Sequence, residues 1–394
     1  MPTSPHMAHV LTARRTPFAP VHGLLSGWHP VDLLAHAMAI TVDDVDISTT
    51  EVTHVLVGCA HPVGAQSANL GRAALLAADW PEHIPATTIE RGAGSSHRAL
   101  QLAAQAVSAG TAELVVAAGV EVMSLVPPGA PALNRQYGAV WGSAPARRYE
   151  GAGGLVPTGV AGDRLAAADA LGRETQDREA ARCRRLAGTV DHPPWLVVTP
   201  TRCNDRDRPR AEVRVLAEDE AAPVPPECPS PLHDGEGTVA ATNIAPAADG
   251  AAVAVLASDG WVRSHDRRPV ASIVATAEAA VDPVTMFGAA PAALDRALGQ
   301  VGLHRDRIEL VELDAPHAAA ALHLARVLEL DDAGHNRTGG GLGRGRPLGA
   351  IGIGMLAEIV GWTAHTGARP GMAALLDESD DGSATATIVA PFAT

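Results

Sequence analysis

The chain has 394 residues, 46% hydrophobic and 19% charged, a balance that excludes both a small disulfide-stapled scaffold and a disordered polyelectrolyte. Thirty Lys-plus-Arg residues against 44 acidic ones leave a net charge of −14, which argues against nucleic acid as a partner. All thirty are Arg, so no lysine Schiff base, P-loop lysine or pyridoxal phosphate anchor can form.

No apolar run of membrane-spanning length and no signal-peptide pattern is present, which predicts a soluble cytoplasmic protein without a membrane partner. Aromatic residues make up only 3%, so the core must be built from Ala, Val and Leu. In chain order, Val52–Val57 reads as a strand, Ala65–Ala78 as a helix stopped by Trp80-Pro81, and Pro85–Ile89 as a second strand. Gly94–Gly110 reads as an amphipathic helix, and Leu114–Ala118 as a strand buried on both faces. Alternating strands and helices imply βαβ units and a mostly parallel sheet.

From about Leu125 to Asp234 the periodicity weakens and Pro, Gly and Arg increase. Arg173–Leu186 is the one helix read there, and Pro223–Pro231 is a Pro-rich connector. The α/β pattern returns with a strand at Val270–Val274, a helix at Ala289–Val301 and a strand at Ile308–Glu312. A Gly-rich turn at Gly339–Gly345, a helix over Gly349–Thr363 and strands at Met372–Leu376 and Thr385–Val389 follow. Both α/β regions run strand, Gly-rich turn, small-residue helix, strand, a hint of internal duplication.

Several motifs, in order and spacing, make the chain resemble the thiolase family of acyl-CoA Claisen-condensing and thiolytic enzymes. They are Arg15-Thr16-Pro17-Phe18, Pro85-Ala86-Thr87-Thr88, Ala99–Ser124, Leu171–Asp177, Gly237-Thr238-Val239 with Asn243, Asp249-Gly250-Ala251-Ala252, Asp282-Pro283 with Met286, Ile308–Ala318, and Asn336 with Gly339-Gly340 and Gly345-Arg346-Pro347. The resemblance implies an α/β fold with two duplicated halves in a layered αβαβα core. It divides the chain into an N-terminal half at 1–121 completed by 235–258, an insertion domain at 122–234, and a C-terminal half at 259–394.

At the positions where the family keeps its chemistry, this chain departs from the pattern. The nucleophilic cysteine is matched by Ala93, whose methyl cannot attack a thioester. The family's catalytic His is matched by Arg346, a guanidinium that stays protonated and cannot act as a base. The Asn that helps hold an oxyanion-hole water is matched by Asp314, and the second cysteine by Leu376, followed by Asp377 and then Glu378, Ser379 and Asp380 in place of three glycines. The changes at 314 and 346 have opposite sign, which predicts that Asp314 and Arg346 pair across the old catalytic pocket.

Substitute chemistry has three places to arise. Ser95, Ser96 and His97 offer a hydroxyl beside an imidazole, or else cap the helix. His317, three residues after Asp314, is either a general base oriented by that carboxylate or a filler of the family's Phe space. Arg344, with Arg346, is a candidate anion site for a carboxylate or the phosphates of coenzyme A, and Asn243 and Gly340 are candidate ligand-binding positions. Cys59, Cys183, Cys203 and Cys228 lack metal-ligand spacing and fall at no catalytic position of the family, so neither a metal nor a catalytic cysteine is expected.

Three functional readings follow. The first is a thiolase-superfamily protein that binds an acyl-CoA or acyl-thioester-like ligand, or an active thiolase-like chain, without Claisen chemistry. The second is an acyltransferase-type enzyme with a site rebuilt around His317, Asp314, Arg346 or Ser95. The third is a structural subunit with a collapsed pocket. No covalently bound cofactor is expected, a coenzyme A thioester is the candidate ligand, and a homodimer or larger even assembly is the expected state.

Overall fold

The computed structural model describes residues 7–133, 138–189, 193–202, 214–223, 231–232, 237–331, 334–366, 372–379 and 381–391. The first stretch holds β1 (Ala8–Arg15), β2 (Ala19–Pro20), α1 (Pro30–Asp43), β3 (His54–Gly58), α2 (Leu70–Ala77), β4 (Ala86–Ile89), α3 (Ser95–Ser108) and β5 (Leu114–Val122). A less regular stretch carries α4 (Ala130–Leu133), α5 (Ser143–Tyr149), α6 (Thr158–Ala168), α7 (Arg173–Ala187), β6 (Thr199–Pro200) and β7 (Val215–Leu216). The remainder forms β8 (Ala248–Ser258), α8 (Asp259–Ser264), β9 (Ala271–Ala280), α9 (Ala289–Val301), β10 (Ile308–Asp314), α10 (Ala318–Val327), α11 (Gly340–Arg344), α12 (Ile351–Thr366), β11 (Met372–Glu378) and β12 (Ser383–Pro391).

The strands run in the order β10-β11-β12-β9-β1-β8-β5-β3-β4, with β4 on one edge. Pairing is parallel for β3 with β4 and β5, and for β10 with β11; β8 is antiparallel to β5 and β1. Each half therefore mixes a parallel core with an antiparallel strand. The continuous apolar run of β5 is buried along all nine residues, as a strand covered on both faces requires.

Three apolar clusters define five layers. In one, Leu33, Leu34 and Met38 of α1 and Leu70 and Leu75 of α2 pack on Val55, Val116 and Val253 of the N-terminal strands. In the middle, Leu100 and Val107 of α3 and Ile353 and Leu356 of α12 fill the space between Val115 and Leu256 on one side and Leu310 and Leu375 on the other. In the third, Leu294 and Leu298 of α9 and Leu324 of α10 cover Leu313, Leu376 and Ile388. The order is helix, sheet, helix, sheet, helix, and the core is aliphatic as the composition requires.

The sheet is mixed rather than mostly parallel, with antiparallel pairs outnumbering parallel ones, and three further details differ from the sequence expectation. Residues 125–234 hold four helices rather than one among the described residues. The Gly339–Gly345 segment is the short helix α11 rather than an open turn, with Gly339 at φ +95° and Gly340 at φ +55° setting its entry. Periodicity does not reveal β8, because an Ala-rich strand buried at all eleven positions shows no alternation.

Candidate functional site

The site is built at the N-terminal turn of α3, where Arg91 to Gly94 tighten through Gly94 N–H to the Arg91 carbonyl at 3.1 Å and Ser95 N–H to the Gly92 carbonyl at 3.2 Å. Gly92 takes φ +51°, a conformation L side chains rarely adopt. Ala93 sits in this turn 5% exposed. The Ser95 hydroxyl donates to the Gly92 carbonyl at 2.6 Å and accepts the Arg91 N–H at 2.9 Å. Ser95 is thus a staple of the turn, not an activated nucleophile. Ser96 accepts the Ile353 N–H at 3.3 Å, tying α3 to α12.

His97 is the residue that the turn hides. Its Nδ1 bonds the Asp377 carboxylate and lies 2.8 Å from Thr385 Oγ1, while Nε2 is 2.8 Å from Thr387 Oγ1. Arg91 Nη1 donates to Asp377 Oδ1 at 2.9 Å. Burial pushes Asp377 up, but Arg91 and His97 outweigh it and hold the carboxyl below its usual range. A Cβ at Gly352 would stand 2.4 Å from the His97 backbone nitrogen, so a glycine on α12 is what lets the α3 backbone approach closely here. Leu376, the match to the second cysteine, faces away into the α9 core. Strand alternation turns Asp377 toward α3 instead.

Asp314 ends β10 in register with Asp377 on β11. Its Oδ1 accepts Arg346 Nε and its Oδ2 accepts Arg346 Nη2, both at 2.7 Å, with Asp314 fully buried and the Arg346 side chain 8% exposed. This is a bidentate charge-assisted fork, and it matches the pairing expected from the opposite charges at these positions.

The fork removes the expected partnership of Asp314 with His317. His317 is the N-cap of α10, and its Nδ1 accepts the Ala320 N–H at 3.1 Å. The neutral ring therefore carries its proton on Nε2, which is buried without a hydrogen-bond partner. Burial pushes His317 down to about 4, and the neighbouring Arg346 charge acts in the same direction. A neutral donor results, not a carboxylate-oriented base. The ring stacks edge-on with Phe287 at 5.1 Å and presses on Gly162 of α6, so the Phe-space reading of His317 describes its packing.

The remaining candidates are structural. Arg344 does not face a ligand. Its Nη1 donates to the Thr338 carbonyl, and its guanidinium lies 3.5 Å from Glu358 and 3.8 Å from Asp219, so its anions are the protein's own carboxylates. Asn243 binds Asp177 and the Thr238 carbonyl through Nδ2, and accepts the Ala240 N–H, all within 3.1 Å. A Cβ on Gly340 would stand 2.7 Å from the Asn336 amide, so that glycine permits close packing. Cys59 and Cys183 are buried, and burial raises both thiols; Cys203, Cys228 and Asp380 lie outside the described residues. Among the described residues no group of three or more His, Cys, Asp or Glu is placed to hold a metal ion.

A pocket of about 1020 Å³ lies among α5, the start of α6 and the Pro283–Met286 loop, and none of Ala93, Asp314, His317 or Arg346 lines it. Its lining includes Trp141, Tyr149, Leu155, Val156, Thr158 and Met286. Met286 shares one buried cluster with Phe287 and Ala315, and Phe287 in turn meets the His317 ring. No helix among the described residues is long and apolar enough to cross a membrane.

Residues 8–260 match the family profile described as thiolase, N-terminal domain, and residues 267–390 match thiolase, C-terminal domain. A steroid 3-ketoacyl-CoA thiolase of Mycobacterium tuberculosis is 31% identical over 394 residues, covering 97% of this chain and 93% of that protein. A beta-ketoadipyl-CoA thiolase of Acinetobacter baylyi is 30% identical over 387 residues, covering 92% and 94%. Human mitochondrial 3-ketoacyl-CoA thiolase superposes with a TM-score of 0.85 at 25% identity, covering 99% of this chain and 100% of that one. Acat5 thiolase from Ascaris suum, solved in complex with coenzyme A, gives 0.83 at 26% identity, covering 98% and 100%. With both halves of the core, their strand order and the chain-long matches in agreement, this protein belongs to the thiolase family.

Proposed function

We propose that the protein binds an acyl-CoA or acyl-thioester-like ligand, alone or beside an active thiolase-like chain, without cysteine-based condensation or thiolysis. The observation that carries this reading is the Asp314–Arg346 fork. A permanently charged guanidinium, locked on both sides to a buried carboxylate, stands where the resemblance places the proton-transferring imidazole. Ala93 adds a methyl at the nucleophile position, and no thiol is placed to substitute for it among the described residues. The reading of a coenzyme A thioester as ligand draws support from the names of the relatives and from the Ascaris suum thiolase structure solved with coenzyme A. Neither Ala93 nor His317 lines the pocket by Thr158 and Met286, so a structural subunit with a collapsed centre stays as the alternative reading.

The rebuilt-enzyme reading keeps one support, the buried Nε2–H of His317, a donor rather than a base. Residues 122–234 are read as the insertion domain, and 1–121 with 235–258 and 259–394 as the two halves. A cytoplasmic homodimer or larger even assembly is proposed, with a second thiolase-like chain as the alternative partner. The test combines acetoacetyl-CoA thiolysis with calorimetric titration of coenzyme A and acetyl-CoA. Binding without turnover is expected; turnover at the rate of an ordinary thiolase overturns the reading, as does absence of binding by every coenzyme A species.

A further inference from the structure

We infer that Glu312 on β10 and Glu358 on α12 hold one proton between them, and that this proton is a pH-sensitive latch on α11, closed while it is held. The grounds are charge and unmet hydrogen bonds. Where β1, α7, β10, α11, α12 and the segment after β7 meet, three guanidiniums (Arg15, Arg182 and Arg344) lie among four carboxyls (Glu179, Asp219, Glu312 and Glu358). Three of the carboxyls hold an arginine. Asp219 takes two Arg15 N–H groups at 2.5 and 2.7 Å, Glu358 takes Arg15 Nε at 2.6 Å, and Glu179 takes Arg182 Nε and Nη2 at 2.8 and 2.7 Å. Glu312, 2% exposed, takes a backbone N–H from Arg337 but no guanidinium among the described residues. An ionised carboxyl buried in that way is costly, and a proton brings the cluster to charge balance.

The unmet atoms point the same way. Oε2 of Glu312 and Oε2 of Glu358 are both buried without a hydrogen-bond partner. Carboxylate oxygens only accept, so two ionised groups leave both unmet, whereas a protonated Glu312 donates and one O–H···O bond satisfies both. Burial pushes Glu312 up to about 8, with Glu358 adding to the rise and Arg344 and Arg182 opposing it. The other groups around it are engaged or uncharged. On α7, Arg182 bonds Glu179 and His335, and burial raises the Cys183 thiol. Leu375 is the β11 residue in register, Thr338 carries only a hydroxyl, and Asp314 holds Arg346. Arg344 couples the proton to α11. Its Nη1 donates to the Thr338 carbonyl, its Nη2 lies 3.5 Å from Glu358, and its Nε is buried without a hydrogen-bond partner. When Glu312 ionises, the two carboxylates repel, and Arg344 has an unused N–H to turn toward Glu312. That turn draws Arg344 from Glu358 and displaces the end of α11, two residues before Arg346 of the fork.

The test is hydrogen exchange of the full chain, read by mass spectrometry at pH ~6.5 and pH ~9, with each peptide corrected for its unfolded exchange rate. Between the two, wild type is expected to lose ~tenfold protection over residues 338–346, as one pH unit past a titration gives, while α1 keeps its protection. Glu312→Gln, whose amide donates to Glu358 and carries no charge, is expected to protect the segment equally at both. Equal wild-type protection at both pH values, a loss that persists in Glu312→Gln, or an equal loss in α1 overturns the inference. A second readout needs no variant. Carboxyl-carbon NMR of wild type labelled at glutamate is expected to show one group titrating at about 8, in step with the exchange, besides Glu378 at about 7. No glutamate titrating above Glu378 overturns the inference even where Glu312→Gln fails to fold.

Discussion

Breaking the Asp314–Arg346 fork one side at a time is the most direct probe of the altered centre. The pair makes two 2.7 Å charge-assisted hydrogen bonds, each worth roughly 1.5–3 kcal/mol net. Attraction between unit charges about 4 Å apart adds ~4 kcal/mol at an effective dielectric near 20. Against this stands a desolvation cost of several kcal/mol for each ion, so the intact pair is close to neutral relative to an apolar replacement. Arg346→Met leaves the Asp314 carboxylate buried and uncompensated, and Asp314→Leu does the same to the guanidinium. Each single variant is expected to lose ~3–5 kcal/mol, while the double variant loses far less than the sum. Urea unfolding followed by circular dichroism measures all four proteins, with equal slopes required before the free energies are compared. Additive losses, or a single-variant loss under ~1 kcal/mol, would refute the coupling and return Arg346 to the role of a free cation in the site.

Three further outcomes are expected. Ala93→Cys should not restore acetoacetyl-CoA thiolysis, because a lone thiol still lacks a base and groups acting as a unit are strongly non-additive; turnover comparable to an ordinary thiolase would count against this. Glu312, 2% exposed on β10, is pushed by burial up to about 8, with Glu358 adding to the rise and Arg344 opposing it. Its contribution to stability is therefore full below its ordinary value of 4.5 and is lost as pH rises through about 8. Glu312→Gln should flatten that decline by up to ~1.4 kcal/mol per pH unit between these limits in urea-unfolding series, leaving the contributions of Asp249 and Glu378, raised by burial to about 6 and 7, which act over narrower pH windows. A variant with the wild-type slope would remove Glu312 from the account. Finally, β4 forms an edge of the sheet, with Asn69 Nδ2 donating to its Ala86 carbonyl at 3.0 Å. Light scattering is expected to show an even assembly, with a C2 interface, and a monomer at micromolar concentration would contradict it.

Local features made much of the architecture legible before any coordinates. α9 occupies Ala289–Val301 as its periodicity predicts, and α3, β5 and α7 fall within a few residues of their expected ends. Helical and strand periods are carried by neighbours in the chain, so a local reading captures them. The Asp314–Arg346 fork was also legible, because two matched positions changed charge in opposite directions. Tertiary structure alone decided the rest. His97 and Asp377 are 280 residues apart, and only the alternation of β11 determines that Asp377, not Leu376, turns toward α3. Arg344 is a candidate anion site by sequence, yet it lies among Glu358 of α12 and Asp219 of the segment after β7, which only the tertiary fold brings to it. His317 became a helix cap with its proton on Nε2 because α10 begins at the next residue and offers the Ala320 N–H to Nδ1. Residue type sets what a side chain can do, but which partner satisfies a buried donor or charge depends on contacts made across the fold, and local sequence contains no record of them.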